Sequence, residues 1–273
     1  MPELPEVETV SRELRARIVG RTLKTLNCSW PRTLASPDMS TAQRLIEGNS
    51  ISTVQRRAKY ILIGLNTGTT ILVHLRMTGR FVFDHPGVDE PHVRLDLMFE
   101  DGKCLYFADT RKFARWYVVA DGERVPLVSY ARLGPEPLTD SFSSASLALT
   151  MRRRPIKSLL LDQEVVAGLG NIYADECLFR AGIHPSILGS NLSISQVQGL
   201  YVAIVGVLQA AIQACGTTFS DYRTTWGREG DFQNSLQVFR RTGEPCNICG
   251  NSILRIKVGG RSTHFCPACQ PLT

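Results

Sequence analysis

The feature that most narrows what this chain can fold into is a pair of cysteine pairs near its end. Cys246-x-x-Cys249 is followed, after sixteen residues, by Cys266-x-x-Cys269. Each pair can present two thiolates from one tight knuckle, and four thiolates close a tetrahedral Zn²⁺ shell. Between the pairs, Ile253 to Val258 alternates in polarity as hairpin strands do. Residues 237–271 therefore read as a zinc ribbon. A closed shell of four cysteines leaves no open coordination position, so the expected metal is one structural Zn²⁺ per chain. Two redox pairs would be the alternative, but no thioredoxin-like βαβ pattern surrounds them. The other cysteines, Cys28, Cys104, Cys177 and Cys215, are scattered through apolar or mixed segments, which suits buried thiols in a reducing cytosol.

The rest of the chain divides by hydrophobic period. Pro5, Glu6 and Glu8 open a stripe of Val7, Val10, Leu14 and Ile18, a helix ending near Gly20. Short alternating segments follow, with turn signals at Asn66-Thr67-Gly68 and Asp101-Gly102. They predict an N-terminal domain over 1–120, an antiparallel β-sandwich with that helix packed on it. Residues 121–140, with Pro126, Gly134-Pro135 and Pro137, read as a linker. Helical patterns at Ser141 to Arg152, Pro155 to Asp162, Ile172 to Ala181 and Ser195 to Cys215 then predict a helical domain over 141–234. The whole is a multidomain α+β chain. Ala167-Gly168-Leu169-Gly170-Asn171 falls between two of these helices. It fails the dinucleotide fingerprint, because Tyr173 stands where the third glycine belongs. It fits a tight turn in a helix–turn–helix-like DNA-binding unit.

The formal charge of +6 and pI of about 9.0 suit a polyanionic partner, nucleic acid or a membrane surface. The start has acidic residues where a signal peptide has basic ones. The most apolar stretch, Leu200 to Gly216, is interrupted by Gln209 and Gln213 and is shorter than the ~20 residues of a membrane span. Basic clusters at Arg56-Arg57-Ala58-Lys59, Arg111-Lys112-Phe113 and Arg152-Arg153-Arg154 are each compatible with a solvated surface. In the second, Arg111 and Phe113 alternate as on one face of an extended segment, a pairing that suits insertion into a base stack. Met77 can be a third wedge or a core methionine. Arg261 follows Gly259-Gly260 at a hairpin tip, where it can reach a phosphate. At the N-terminus, removal of Met1 would free Pro2 as a secondary amine beside Glu3. An α-amino group titrates at about 7.7–8.0, against about 10.4 for lysine, so a far larger fraction of it is unprotonated and nucleophilic at neutral pH. A helix start with no chemistry fits the same residues.

Taken together, Pro2-Glu3-Leu4-Pro5-Glu6, His74-Leu75-Arg76-Met77, Asp109-Thr110-Arg111-Lys112-Phe113, Ala167-Gly168-Leu169-Gly170-Asn171-Ile172-Tyr173 and the four-cysteine ribbon make the chain closely resemble the bacterial formamidopyrimidine-DNA glycosylases over essentially its whole length. The resemblance implies a cytosolic, monomeric base-excision-repair enzyme acting on double-stranded DNA that carries oxidised purines or abasic sites, without membrane association. It implies Pro2 as nucleophile on the sugar C1′ and Glu3 as proton-transfer partner. Lys59 would serve β-elimination and Arg261 δ-elimination, with no catalytic metal or organic cofactor. Met77, Arg111 and Phe113 would fill the gap left by the flipped nucleotide, and His74, His92, Arg152, Lys157 and Asn171 would contact DNA. The loop near 216–234, with Tyr222, Arg223 and Thr224, would read the base. Phe239-Arg240 departs from the Tyr-Gly often found in relatives. Two alternatives stand: an endonuclease VIII-like glycosylase for oxidised pyrimidines, whose start typically has glycine in place of Leu4, and a non-catalytic zinc-ribbon binder of damaged DNA.

Overall fold

The computed structural model describes residues 1–84, 92–219, 222, 225 and 227–272; Arg223 and Thr224 lie outside them. Helix α1 spans Leu4–Ile18. Pro5 occupies its first turn, where a missing N–H leaves no helical hydrogen bond unmade. Among the described residues, nine strands and one α-helix follow: β1 Leu23–Cys28, β2 Leu34–Ser36, α2 Met39–Ile46, β3 Ile51–Arg57, β4 Tyr60–Leu65, β5 Thr70–His74, β6 Gly79–Phe83, β7 Val93–Phe99, β8 Cys104–Asp109 and β9 Arg115–Val119. They form two sheets, ordered β2-β9-β5-β4-β3 and β1-β7-β8-β6. Every pair is antiparallel except β2 with β9. β2 escapes a reading by alternation because three residues are too few to show a period.

The alternation seen in the sequence is the core. Ile61, Ile63 and Leu65 of β4, Leu95, Leu97 and Phe99 of β7, and the apolar stripe of α1 are all buried in one cluster. Each such side chain contributes about 1.5–3 kcal/mol on burial. Phe81, Phe107 and Trp116 meet at ring-centroid distances of 5.1 to 5.6 Å in the middle of it. α1 rests on β3 and β4.

After α3 (Val128–Ala131), the remaining helices are α4 Ser144–Ala148, α5 Ile156–Leu161, α6 Asn171–Arg180 and α7 Ile194–Gln213. α4 covers only the middle of the stretch expected to be helical. α7 begins with the capping box that its sequence predicts: the Ser193 N–H donates to Gln196 Oε1 (2.9 Å) and the Gln196 N–H to Ser193 Oγ (3.2 Å). By length and composition α7 is apolar enough to cross a membrane. One of its faces, including Leu200, Ile204 and Leu208, is buried, and the helix packs on α4 and α6. Strands β10 Leu254–Val258 and β11 Arg261–Phe265 make the ribbon hairpin.

The chain forms two compact units, Met1–Ala131 with Ala214–Asp231, and Arg132–Gln213 with Phe232–Thr273. Two α1 carboxylates hold the returning segment in the first unit. Glu6 Oε1 accepts the Thr217 N–H at 2.8 Å, and Glu13 Oε2 accepts both the N–H and the hydroxyl of Thr225 at 2.6 Å.

Candidate active site

In the first unit, Pro2 and Glu3 are buried just ahead of α1. Glu3 is the residue before the helix, and its N–H donates to Glu6 Oε2 at 2.8 Å. The spacing of three is that of a capping pair, which the sequence displays. The sequence does not display the second bond of Glu6, to Thr217, because the partner lies 211 residues away. One carboxylate thus fixes both the backbone of Glu3 and the start of the returning loop.

Lys59 sits in the two-residue turn between β3 and β4, after Ala58, whose φ of +53° puts it in the left-handed region. Glu8 secures that turn against α1. Its Oε2 accepts Arg56 Nε at 2.8 Å, and Arg56 Nη1 donates to the Ala58 carbonyl at 3.1 Å. Burial pushes the Glu8 carboxyl up, but the guanidiniums of Arg56 and Arg12 outweigh it and hold it below the usual carboxylate range. His74 is buried edge-on against Tyr60, with ring centroids 4.7 Å apart. Its Nδ1 accepts the Arg76 N–H at 3.0 Å. Burial, and then the charges of Arg76 and Lys59, pull its pKa down to about 3. At neutral pH it is an uncharged support of the turn that carries Met77.

Met77 and Phe113 are 40% and 47% exposed, against the core methionine that the sequence also allowed. Arg111 lies between them. Its Nη1 is 3.0 Å from Met77 Sδ, and its guanidinium carbon lies 4.9 Å from the Phe113 ring centre. The three form one exposed aromatic, thioether and cationic surface. His92, exposed with φ +74°, lies at the start of β7, where its Nδ1 is 3.2 Å from Arg94 Nη2.

The second unit corrects one expectation. Lys157, expected on a DNA phosphate, is wholly buried. Its Nζ pairs with Asp175 Oδ1 at 2.6 Å and donates to the Ser262 carbonyl (2.8 Å) and Thr263 Oγ1 (2.9 Å). These partners replace the water that a lone ammonium would need. Asp175 Oδ2 also accepts the N–H of His264 at 2.9 Å and meets its Nδ1 at 3.1 Å. Asn171 Nδ2 donates to the same Ser262 carbonyl at 3.0 Å. α5 and α6 therefore grip the residues that follow Arg261. Arg261 itself is exposed beyond the Gly259-Gly260 turn, whose φ values of +53° and +79° fit a tight hairpin. Arg152 is exposed, its carbonyl accepting the Ser190 N–H at 3.0 Å.

The Sγ atoms of Cys246, Cys249, Cys266 and Cys269 lie within 4.8 Å of one another. The separations Cys246–Cys269 (3.8 Å) and Cys249–Cys266 (3.4 Å) compare with the roughly 3.8 Å edge of a tetrahedron with 2.3 Å Zn–S bonds. The Ile248 and Cys269 amides point at the Cys246 and Cys266 sulfurs at 3.5 Å. Such donors stabilise thiolates. The residues fit a structural zinc.

Three family descriptions match in order. "Formamidopyrimidine-DNA glycosylase N-terminal domain" covers residues 1–116, "Formamidopyrimidine-DNA glycosylase H2TH domain" 133–223, and "Zinc finger found in FPG and IleRS" 243–272. The formamidopyrimidine-DNA glycosylase of Desulfitobacterium hafniense is 45% identical, covering 99% of this chain and 100% of the relative. That of Chloroflexus aggregans is 46% identical over 100% and 99%. Among solved structures, the Lactococcus lactis Fpg in complex with abasic-site DNA superposes with a TM-score of 0.91 at 37% identity, covering 98% of this chain and 99% of that one. The Fpg protein of Thermus thermophilus gives 0.89 at 42% identity, over 98% of each.

Proposed function

The chain belongs to the formamidopyrimidine-DNA glycosylase family of DNA-repair enzymes, and on that premise we propose that it excises oxidised purines from double-stranded DNA through a Schiff base on Pro2 and then cleaves the strand by β,δ-elimination. The observation that carries this reading is the N-terminus: Pro2 and Glu3 stand buried together, and Glu6 fixes the Glu3 backbone. While Met1 is attached, the Pro2 nitrogen is an amide with no lone pair to give. Once Met1 is gone, that lone pair attacks C1′, the bond to the base breaks, and Glu3 carries the proton that the opening sugar requires. The resulting iminium draws electrons from C2′, so a C2′ proton leaves and the 3′ phosphate departs. Loss of the 5′ phosphate follows in the second elimination. Lys59 assists the first step and Arg261 the second, where its guanidinium pairs with phosphate.

The target nucleotide has to leave the stack before C1′ is reachable, at a cost of a few kcal/mol. Met77, Arg111 and Phe113 fill the vacancy and offset that cost. His92, Arg152 and Asn171 lie at or near the DNA backbone, and one structural Zn²⁺ joins the two cysteine knuckles. The enzyme works as a monomer on 8-oxoguanine, formamidopyrimidine and abasic sites in the bacterial cytosol. A second reading, oxidised pyrimidines, is favoured by one observation: a Lactococcus lactis relative, 37% identical, was solved with DNA containing an oxidised pyrimidine.

Borohydride reduction tests the mechanism. Protein lacking Met1 should give a covalent adduct with lesion DNA, and protein with an extra residue ahead of Pro2 should give none. Equal trapping by both would sink the proline mechanism, and lesion binding without any cleavage would favour a pure binder. Excision rates on 8-oxoguanine and thymine-glycol duplexes at one salt concentration decide between purine and pyrimidine readings.

A further inference from the structure

Beneath the exposed surface of Met77, Arg111 and Phe113 lies a buried polar pair that no step above uses. Thr78 is 8% exposed and Asp109 1%. Met77 rides on the turn between β5 and β6, where Arg76 has φ +54° and the Gly79 N–H donates to the Leu75 carbonyl at 3.0 Å. Arg111 and Phe113 ride on a second turn, between β8 and β9, where Lys112 has φ +60°. These are separate stretches of chain, and each carries its wedge side chains at the surface.

One hydrogen-bond network ties the two turns. The Thr78 hydroxyl donates to Asp109 Oδ1 and accepts the Arg111 N–H at 3.1 Å. Asp109 Oδ1 also accepts the Arg111 N–H at 3.3 Å, and Oδ2 accepts the Ala114 N–H at 2.8 Å. The Asp109 backbone is held in turn, its N–H by the His92 carbonyl and its carbonyl by Arg94 Nε, both at 3.0 Å. Gly79 lets the two turns approach this closely, since a Cβ there would lie 2.5 Å from the Leu75 carbonyl oxygen and 2.8 Å from the Phe107 ring. The carboxylate therefore closes the Arg111–Ala114 turn, and the hydroxyl joins that turn to the one bearing Met77.

We propose that Thr78 and Asp109 are positioning residues that lock the two turns into a single preformed wedge, so that Met77, Arg111 and Phe113 enter the duplex as one body. The proposal rests on the gap-filling role given to those three residues above. A wedge ordered before binding loses less side-chain and loop freedom on insertion than one assembled inside the DNA. The pair is buried and acts only through the two turns, so its effect is confined to substrates that have a stack to open.

Thr78→Val removes the hydroxyl and keeps the shape, and Thr78→Ser restores the hydroxyl. The measurement is single-turnover excision of 8-oxoguanine from a duplex, set against cleavage of an abasic site in a single strand. 2-Aminopurine fluorescence beside the lesion reports eversion. Thr78→Val should lower the duplex-to-single-strand rate ratio and the eversion rate about tenfold, the factor set by one lost hydrogen bond. Thr78→Ser should return both to the wild-type value. An unchanged ratio in Thr78→Val, an equal fall on both substrates, or no rescue by serine would overturn the proposal. Met77→Ala and Phe113→Ala run alongside. If they leave the ratio unchanged, the wedge role fails and takes this proposal with it. If they lower it while Thr78→Val does not, the lock alone is wrong.

Discussion

At the residue scale, Lys157 and His74 show how burial decides what a charged or titratable group can do. Lys157 has its ammonium sealed against Asp175, so replacing it by methionine leaves a buried carboxylate short of a counter-charge. Breaking a buried pair from one side costs about 3–5 kcal/mol, whereas replacing both partners by apolar groups is often neutral. Lys157→Met should lower the urea midpoint strongly, and adding Asp175→Leu should recover only the part due to the uncompensated charge, because the buried His264 N–H then loses its acceptor. A group that merely touched phosphate would leave the midpoint unchanged. His74 adds a pH term. Its pKa falls from 6.5 to about 3 on folding, so between those values the unfolded chain takes up a proton that the folded chain refuses. Its contribution is full above pH 6.5 and is lost progressively as pH drops towards 3. His74→Asn should flatten the fall of unfolding free energy between about pH 7 and pH 4.5, and equal slopes would refute the assignment. Neither burial can be foreseen from local pattern: α5 has only six residues, too few for periodicity to say which face Lys157 takes.

At the element scale, the legible parts were those where period or punctuation is strong. The α1 stripe, the β4 and β7 alternation, the capping box of α7 and the Gly-Gly hairpin all stand in the chain as written. What was not legible depends on partners far along the chain, as with β2 beside β9 and the Ala214–Asp231 segment beside α1. Gly216 tests that second placement. Its φ is +83°, and a Cβ would fall 2.8 Å from Glu6 Oε1 and 2.9 Å from Glu6 Cγ. Gly227 has a similar φ of +74° and open space around it. Alanine at either position bears the left-handed backbone penalty of roughly 1–2 kcal/mol. Only at Gly216 must Glu6 also move, straining its bonds to Thr217 and Glu3. Gly216→Ala should therefore slow excision more than Gly227→Ala does at a similar loss of stability. Equal effects on excision would mean that Glu6 does not couple the loop to the N-terminus.

At the scale of the whole molecule, the first unit and the ribbon are held in order by unlike means. The first unit has a broad apolar cluster drawn from α1, α2 and both sheets. The cluster under the ribbon joins Phe179 of α6 to Val238, Cys246, Ile253 and Cys266, with Cys269 packed beside it. Two of those five residues belong to the cysteine cluster, so the packing under the two knuckles depends on the thiolates staying together. Without zinc, four sulfurs within 4.8 Å of one another lose the charge that holds them together, and deprotonated thiols repel. Metal removal should thus unfold the ribbon locally instead of melting the chain. Hydrogen exchange after chelation should show protection lost across residues 243–272 and retained across β4, β5 and β9. Readdition of Zn²⁺ should restore it. The hairpin offers a finer reading, because Ser262 and His264 are also gripped by Lys157, Asn171 and Asp175. If that polar grip is strong enough to act alone, the His264 amide should exchange more slowly than the Cys246 amide in the zinc-free protein. Simultaneous loss at both would make zinc the sole fastening of Arg261, and strand cleavage past the first elimination would then fall with metal content in direct proportion.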